Sequence, residues 1–269
     1  MQFWMILNNP EMAVYCIENG LDRVFIDLEK LDKEKRQGHL DTWKSSHVEE
    51  DISLLRPLIP KGKLLVRLNK WNVNSEKEIE LALKKGADFL MLPMITEFTE
   101  IESFSSAVSQ QVPVIPLIET PQSLEMLSKI IKIKGIGETY IGLNDLTISL
   151  GLKFIFQPLM LNMIEKASEI LNSEDMPWGF GGIARIKEGK IPAEILLGEH
   201  VRLGSSRIIL SRTFHRNSQN LDQLLKNIDF PLEINKLKEA EKLWRNSNNS
   251  ELLANLNKIK KLISNVVNS

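Results

Sequence analysis

Short apolar runs alternate with amphipathic segments along this chain, and that alternation limits the folds it can adopt. The runs are continuous and rich in Ile, Val and Leu, which is typical of strands buried on both faces of a parallel sheet. We predict strands at 3–7, 24–28, 64–68, 89–94, 112–118, 139–144, 177–180 and 207–210. Helical patterns lie between them, including Pro10 to Asn19, closed by Gly20, and Ser75 to Lys85, with Ser75 as N-cap and Glu78 at capping-box spacing.

The number of strand–helix units favours a closed barrel. A doubly wound open sheet would show the same alternation, but eight units predict a (β/α)8 TIM barrel. The 269 residues accommodate such a barrel over 1–230, followed by a C-terminal helical extension over 231–269. Within the extension, apolar residues recur at helical spacing; they are Leu253, Leu256, Ile259, Leu262 and Ile263. We expect that helix to pack either on the barrel's own flank or on a neighbouring subunit.

Charge and composition exclude several classes of function. A net charge of −1 gives no general electrostatic case for binding nucleic acid or an anionic membrane. The lone Cys16 cannot form an intrachain disulfide, which suits a reducing compartment. The opening residues lack a basic leader, and no apolar run approaches the roughly 20 residues that cross a bilayer. We therefore expect a cytoplasmic enzyme domain.

Two acids stand where predicted strands end, and they are the first candidates for chemistry. Glu119 closes the fifth apolar run and Asp145 follows the sixth. The carboxyl ends of barrel strands carry the active site, and an unpaired carboxylate is costly to bury. Neighbouring strands bring the two acids together, where they share either a proton or a cation.

Further polar residues follow the second and third strands. Asp27, Glu29, Arg67 and Asn69 stand there, so the predicted site combines acids with one buried arginine. Oxygen ligands with positions left for water suit Mg²⁺ or Mn²⁺ better than zinc, and no His/Cys zinc spacing occurs. Arg67 would offer two parallel donors to a carboxylate or enolate oxygen. The alternative is that Asp27, Glu29 and Arg67 form a structural ion pair.

Histidines and basic residues near the predicted mouth supply candidates for proton transfer and anion binding. His47 is placed in the first turn of a helix capped by Ser45 or Ser46, from which it could face the site or only solvent. His39 competes with it, His215 could line the mouth, and His200 is expected to be structural. The basic candidates, each of which could instead be solvated, are Lys33, Lys35, Arg36, Arg185, Arg212 and Arg216. Gly142 and the glycines of 179–182 could let a ligand approach the backbone.

Five ordered motifs resemble the HpcH/HpaI aldolase and citrate lyase β-subunit family. They are Phe25-Ile-Asp-Leu-Glu29, Val66-Arg-Leu-Asn69, Gly86-Ala-Asp-Phe-Leu-Met-Leu-Pro-Met94, Ile118-Glu-Thr120 and Ile141-Gly-Leu-Asn-Asp-Leu-Thr147. The resemblance implies a TIM barrel that makes or breaks carbon–carbon bonds through a metal-bound enolate. It also implies that Glu119 and Asp145 bind the metal and that Arg67 holds the pyruvyl group. We expect Gly142, Leu143 and Asn144 to contact substrate, and His47, Asp27 and Glu29 to join Arg67 in catalysis.

The residues after the second strand leave the substrate class open. Aldolases of the family carry Glu-His there, and acyl-CoA lyases carry Asp-Leu-Glu-Asp; this chain reads Asp27-Leu-Glu-Lys30. We expect an Mg²⁺- or Mn²⁺-dependent aldolase acting on a 2-oxo acid and an aldehyde. The alternatives are a malyl- or citramalyl-CoA type lyase, a glycosidase using the paired acids, or a barrel kept as a binding protein. Resemblance also implies a homo-oligomer, a trimer or hexamer, with the tail at the interface.

Overall fold

The computed structural model describes residues 1–31 and 46–268, and its strands close into one barrel. All the strands are parallel, each pairs with its neighbours in the chain, and the last pairs with the first. They are β1 (Gln2–Ile6), β2 (Arg23–Asp27), β3 (Leu64–Arg67), β4 (Phe89–Leu92), β5 (Val114–Ile118), β6 (Thr139–Ile141), β7 (Trp178–Ile183) and β8 (Arg207–Leu210). The predicted (β/α)8 TIM barrel is confirmed.

Helices connect the strands and cover the outside of the barrel. Numbered in chain order among the described residues, they are α1 (Pro10–Glu18), α2 (Glu50–Leu55), α3 (Ser75–Lys84), α4 (Phe98–Val108), α5 (Pro121–Glu125), α6 (Leu127–Ile130), α7 (Leu143–Ser149), α8 (Gln157–Met160), α9 (Met163–Ser173), α10 (Ala193–Leu203), α11 (Leu221–Asn227), α12 (Phe230–Arg245) and α13 (Asn249–Asn268). Within 1–31 and 46–268, none of them combines the length and the apolar content that crossing a membrane requires.

Side chains alternate between the two faces of each strand, and this alternation builds the interior in layers. In β2, Phe25 packs inside the barrel, whereas Val24 and Ile26 pack among the surrounding helices. The buried side chains that fill the barrel are Trp4, Phe25, Leu65, Met91, Ile115, Leu117 and Tyr140. Inward positions two residues before and after this layer therefore lie at the two ends of the barrel.

The amino-terminal end of the barrel is closed by a buried ion network around Glu138. Its carboxylate accepts hydrogen bonds from Arg23 at 2.9 and 3.0 Å and from Arg207 at 3.2 and 3.4 Å. The Arg23 guanidinium also lies over the rings of Trp4 and Phe89, at 4.4 and 3.6 Å from their centroids. The two arginines hold the pKa of Glu138 below its ordinary value although burial acts in the opposite direction.

β4 and β6 end two and three residues earlier than the sequence pattern predicts. β4 stops at Leu92 because Pro93 has no amide hydrogen and Met94 adopts a left-handed conformation, with φ of 54°. β6 stops at Ile141 because α7 begins at Leu143, so the prediction that the strand runs to 144 is wrong. β7, by contrast, continues to Ile183 through a register shift after Gly179.

Gly179 is required by strand packing rather than by a ligand. A Cβ atom built at this position would lie 2.0 Å from the Arg207 carbonyl oxygen of the neighbouring strand. The start of α3 also differs from the prediction: Asn74 is the N-cap, and the Ser75 hydroxyl accepts a hydrogen bond from the Asn72 amide. Glu78 does not complete a capping box there; its carboxylate accepts hydrogen bonds from Asn69.

The C-terminal helices pack on the barrel itself. α12 contacts α10, and Phe230 at its start meets Tyr15 of α1 at a ring distance of 6.4 Å, so α12 fills the eighth helical position. α13 then lies across α10 and α8, where Asn255 donates a hydrogen bond to the Ile195 carbonyl at 2.9 Å. Of the two placements considered for the tail, the structure shows the barrel's own flank. The division of the chain at residue 230 stays a prediction.

Candidate active site

A cavity of about 370 Å³ opens at the carboxyl end of the strands, the end at which barrel enzymes place their chemistry. Its inner part is lined by side chains that also fill the barrel interior, namely Phe25, Met91, Leu117 and Tyr140. The sequence-predicted residues that line it are Asp27, His47, Arg67, Glu119, Gly142, Leu143, Asn144 and Asp145. Glu29 is buried nearby but is not part of the lining. Of the described residues that the sequence places at strand ends or beside them, the structure brings all except Glu29 and Asn69 around one space.

Arg67 is fixed by the two acids at the end of β2. Its Nε and Nη2 donate to the two carboxylate oxygens of Asp27, both at 2.8 Å, and Nη2 lies 3.3 Å from Glu29 Oε2. Asp27 and Arg67 are paired across β2 and β3, which explains this geometry. The ion pair considered as an alternative therefore exists. It occupies the two-nitrogen edge that was expected to receive a ligand, and within the described chain only Nη1 has no hydrogen-bond acceptor.

Glu119 is a buried carboxylate in unfavourable electrostatic surroundings. It is 2% exposed, and its Oε1 accepts a hydrogen bond from the Met94 amide at 3.0 Å. Burial raises its pKa well above the ordinary glutamate value, and the charges of Glu29 and Asp145 raise it further. Arg67 and the Met94 amide act in the opposite direction without cancelling the increase. The described surroundings of Glu119 therefore do not supply enough positive charge to balance its carboxylate.

The left-handed turn at Met94 helps to place Glu119. Met94 is one of the few non-glycine residues with positive φ, a conformation that costs free energy and persists where surroundings impose it. In this turn the Met94 amide points at the Glu119 carboxylate. On the other side, a Cβ at Gly142 would lie 2.6 Å from Glu119 Oε2. A glycine is thus required at position 142 because the Glu119 carboxylate occupies the space of a side chain. The predicted role of Gly142 in letting a ligand approach the backbone stays a prediction.

Asp145 comes from a helix rather than from a strand. It lies in the first turn of α7, which begins directly after Gly142, and it is 5% exposed. The prediction of a strand-end acid is wrong in its element but places the carboxylate in the same cavity as Glu119. Leu143 and Asn144, which precede it in the turn, line the cavity as well.

His47 lies before α2 and not in its first turn. The helix begins at Glu50 with Glu49 as its N-cap, and the side chain that accepts the Val48 amide is Asp51, so Ser46 is not the predicted cap. Ser45 lies outside the described residues. The Asp27 amide donates to His47 Nδ1 at 3.1 Å. In the neutral ring the proton therefore resides on Nε2. This places a buried imidazole beside the Asp27–Arg67 pair.

The remaining histidine and basic candidates separate into distinct groups. His200 is buried away from the site, stacked on Phe180 with 3.9 Å between ring centroids, as expected for a structural residue. His215 and Arg212 line the cavity, whereas Arg216 is exposed. Arg185 does not present its guanidinium to a ligand at the mouth, because it pairs with Glu188 and donates to the Thr213 and Phe214 carbonyls. His39, Lys33, Lys35 and Arg36 lie outside the described residues.

Sequence reasoning did not identify Tyr140 as part of the cavity. Its hydroxyl donates to the Gly181 carbonyl at 2.6 Å and accepts from the Ile209 amide at 2.8 Å, joining β6, β7 and β8 beside the site. The signal was available in the alternation of strand residues. Tyr140 stands two residues before Gly142, as Leu117 stands two before Glu119 and Phe25 two before Asp27.

The donor set fits a hard divalent cation. Glu119 and Asp145 present carboxylate oxygens to the cavity, and the charges of Glu29 and Asp145 raise the pKa of Glu119, an effect that a bound cation would oppose. Over residues 1–31 and 46–268, no group of three or more His, Cys, Asp or Glu side chains has the arrangement of a metal site. Among the described residues, a cation here would therefore have the carboxylates of Glu119 and Asp145 as ligands, with coordination positions left for others such as water or substrate.

Comparison with solved structures supports the fold at low sequence identity. An HpcH/HpaI aldolase from Desulfitobacterium hafniense DCB-2 is 15% identical, with a TM-score of 0.57 over 92% of this chain and 93% of that one. CitE from Mycobacterium tuberculosis, in complex with magnesium and pyruvate, is 13% identical, with a TM-score of 0.63 over 94% and 95%. The citrate synthase SbnG is 16% identical, with a TM-score of 0.57 over 78% and 86%. No curated protein matches the chain in sequence.

A family model gives the assignment that these structural likenesses alone do not. The model of HpcH/HpaI aldolase/citrate lyase matches residues 1–158, which is more than half of the chain and includes Asp27, Arg67, Glu119 and Asp145. The resemblance first seen in five motifs is therefore confirmed, and the chain belongs to the HpcH/HpaI aldolase/citrate lyase family.

Proposed function

We propose that this protein is a carbon–carbon lyase of the pyruvate aldolase type, dependent on Mg²⁺ or Mn²⁺, which cleaves or forms a 2-oxo acid through an enolate. The observation that carries the proposal is Glu119, a buried carboxylate with a raised pKa beside Asp145 and Glu29, in a cavity that also presents Arg67. Such a cluster is stabilised by a cation, and perturbed acids in a cavity mark functional sites. Family membership supports the same chemistry.

In this mechanism Glu119 and Asp145 would hold the cation, which when bound acts as a Lewis acid toward the 2-oxo group. Asp27 and Glu29 fix the Arg67 guanidinium, and Nη1 remains as a donor for the pyruvyl oxygen atoms. Because Arg67 is locked before substrate arrives, its charge is already oriented toward the position at which negative charge develops. Asp27 and Glu29 are therefore positioning residues in this proposal. Gly142, Leu143 and Asn144 line the wall against which the 2-oxo acid would lie.

His47 is the residue that we assign to proton transfer. Its Nδ1 already accepts the Asp27 amide, so Nε2 is the atom that carries the exchangeable proton of the neutral ring. The ring lines the cavity beside Arg67, within the same wall. His47 would therefore hand a proton to or from the second reactant at Nε2 rather than at Nδ1.

Exchange of the pyruvate methyl protons with D₂O, followed by NMR, tests the half-reaction without knowledge of the second substrate. We expect exchange that requires Mn²⁺ or Mg²⁺ and stops with chelator. Glu119→Gln and Asp145→Asn should each lower it by about 1000-fold, since a metal ion supplies several kcal/mol of charge stabilisation. Glu125→Gln, on the exposed end of α5, is the matched control. Full exchange by either site variant in the presence of chelator would falsify the mechanism.

Turnover and binding assays with other compounds separate the alternative functions. An acyl-CoA lyase would turn over malyl- or citramalyl-CoA but not free hydroxy-2-oxo acids. A barrel kept as a binding protein would bind pyruvate with the metal and exchange no protons. Hydrolysis of a glycoside without added metal would instead indicate that Glu119 and Asp145 work as a glycosidase pair.

A further inference from the structure

Arg212 is a cation of the cavity that the mechanism above does not use. It follows β8 by two residues and lines the same space as Arg67, Glu119 and Asp145. Its side chain is half-buried. Within the described parts of the chain, its guanidinium makes no hydrogen bond and no ion pair.

The other arginines show how unusual this is. Every other buried or half-buried arginine that the structure describes has an acidic partner. These pairs are Arg23 and Arg207 with Glu138, Arg56 with Asp88, Arg67 with Asp27, Arg185 with Glu188 and Arg202 with Glu199. Arg216, four residues after Arg212 in the same loop, has no partner in these segments either, but it is exposed to water.

The loop that carries Arg212 is firmly attached to the barrel. Arg185 donates to the carbonyls of Thr213 and Phe214, the two residues that follow Arg212. The Asn217 amide returns to the Arg212 carbonyl at 3.0 Å, which closes the turn. The position of Arg212 at the cavity is therefore built into the fold and does not depend on an adaptable surface loop.

Within 1–31 and 46–268, no acidic side chain forms an ion pair with Arg212. Burial lowers the pKa of Arg212, and the nearby charge of Arg67 lowers it further, whereas Asp27 acts in the opposite direction. Both oxygens of Asp27 already accept hydrogen bonds from Arg67. His215 in the same loop adds no charge, because burial lowers its pKa to about 4 and keeps the ring neutral at pH 7. A half-buried guanidinium without a counter-ion is costly unless a ligand supplies one.

We propose that Arg212 is a specificity-determining residue, which binds a second anionic group at the end of the substrate remote from its 2-oxo carboxylate. The inference rests on the proposed function, because the pyruvyl end is assigned to Arg67 and the two metal-binding acids. The substrate class is then a 2-oxo acid with a distal carboxylate or phosphate, both of which a guanidinium binds through paired hydrogen bonds.

Binding calorimetry in the presence of Mn²⁺ tests this without turnover. The probes are straight-chain 2-oxo dicarboxylates of four to seven carbons, each beside its distal methyl ester, together with the same chains ending in a phosphonate. We expect one length of acid to bind about 10- to 100-fold more tightly than its ester, the range for a hydrogen bond to a charged group. In Arg212→Gln that ratio should fall to near one. Arg216→Gln, in the same loop but exposed, should keep it.

Each outcome separates the inference from the proposed function. Metal-dependent binding of acid and ester with equal affinity overturns the role of Arg212 and leaves the proposed function standing. A ratio that persists in Arg212→Gln, or that disappears in Arg216→Gln, overturns it as well. If no probe shows metal-dependent binding, the proposed function fails and the inference fails with it. A preference for phosphonate over carboxylate identifies the distal group as a phosphate.

Discussion

Two buried glutamates, one at each end of the barrel, experience opposite electrostatic surroundings. Glu138 at the amino-terminal end accepts four hydrogen bonds from Arg23 and Arg207, and its pKa is lowered. Glu119 at the carboxyl end accepts one backbone amide, faces Glu29 and Asp145, and its pKa is raised. Both are buried in the same fold, so burial itself does not decide the outcome. The available counter-charge does: of these two acids, Glu119 at the cavity is the one that the described residues leave without a balancing cation.

The largest effect should come from breaking the matched end. Glu138→Gln removes the only carboxylate that Arg23 and Arg207 share among the described contacts. We expect a loss of about 3–5 kcal/mol in the free energy of unfolding, because two buried cations lose their partner. Urea unfolding measures it, with Glu125→Gln as the control. A loss below about 1 kcal/mol would show that the network is not what closes this end.

A smaller effect is expected from crowding the unmatched end. In Gly142→Ala the new methyl group would lie 2.6 Å from Glu119 Oε2 and displace the carboxylate. We expect Mn²⁺ to bind about 10- to 100-fold more weakly, the usual cost of disturbing the support of a metal ligand. Gly182→Ala is the matched control, since a Cβ there meets its nearest atom only at 3.5 Å. Unchanged Mn²⁺ affinity in Gly142→Ala would remove Glu119 from the metal site.

The two ends are compared most directly by the same substitution, Glu119→Gln at one end and Glu138→Gln at the other. The folded-state pKa of Glu119 is raised, so the folded protein binds the proton more tightly than the unfolded chain. Its charge therefore costs stability progressively as pH rises from the ordinary glutamate range through the folded pKa. In chelator at pH 8, Glu119→Gln should be more stable than the parent, and the gain should vanish at acid pH.

Glu138 provides the opposite sign for that experiment. Its pKa is lowered, so its contribution is fully present above the ordinary glutamate value and is lost as pH falls through the folded pKa. Urea midpoints at about pH 3, pH 5 and pH 8 for both variants give the test, because the loss in Glu138→Gln should be the same at pH 8 and pH 5 and smaller near pH 3. Destabilisation by Glu119→Gln at pH 8 in chelator would contradict the account of an acid that lacks positive charge.

The smallest effect should follow removal of α13, which we expect to change the oligomeric state and not the site. Its inner face packs on α10, where Leu256, Ile259 and Ile263 are buried. On the outside, Leu253 of α13 and Leu243 of the preceding helix α12 are exposed. We expect a homo-oligomer, as the sequence predicts, in which these exposed side chains meet a partner. Light scattering on the full chain and on one ending at Ser247 measures this while keeping α12. A monomeric full chain, or a truncated chain of unchanged oligomeric state, would contradict it.

Much of the fold could be read from the sequence because periodicity reports burial. All eight strands were placed near their observed positions, since a strand buried on both faces is a continuous apolar run. The ends of strands were harder to place. Met94 and Leu143 look like strand residues by composition, but a left-handed turn and the first turn of α7 occupy these positions. The Met94 amide and Gly142 both lie against Glu119, which is a tertiary contact that no local pattern records.

The candidate site was predictable by position but not by pairing. Glu119, Asp145 and Arg67 were expected around one space, and the structure places them there. The sequence could not tell that Asp27 occupies the Nε–Nη2 edge of Arg67, or that Arg185 is engaged while Arg212 is not. Such distinctions depend on which side chains meet across loops distant in the chain, and composition is the same for both arginines.

The clamp on Arg67 also restricts how this sequence can diverge. Arg67 lies against Asp27 and Glu29 and moderates the charge of Glu119, so replacing it alone leaves three buried acids facing one another. Losing Asp27 alone removes the partner that orients the guanidinium. Single substitutions at these positions should therefore be destabilising, and we expect homologues that differ here to have changed the arginine and its acids together. Across homologues, positions 27, 29 and 67 should vary as one unit, while Glu119 and Asp145, the pair proposed to bind the metal, should vary under a separate constraint.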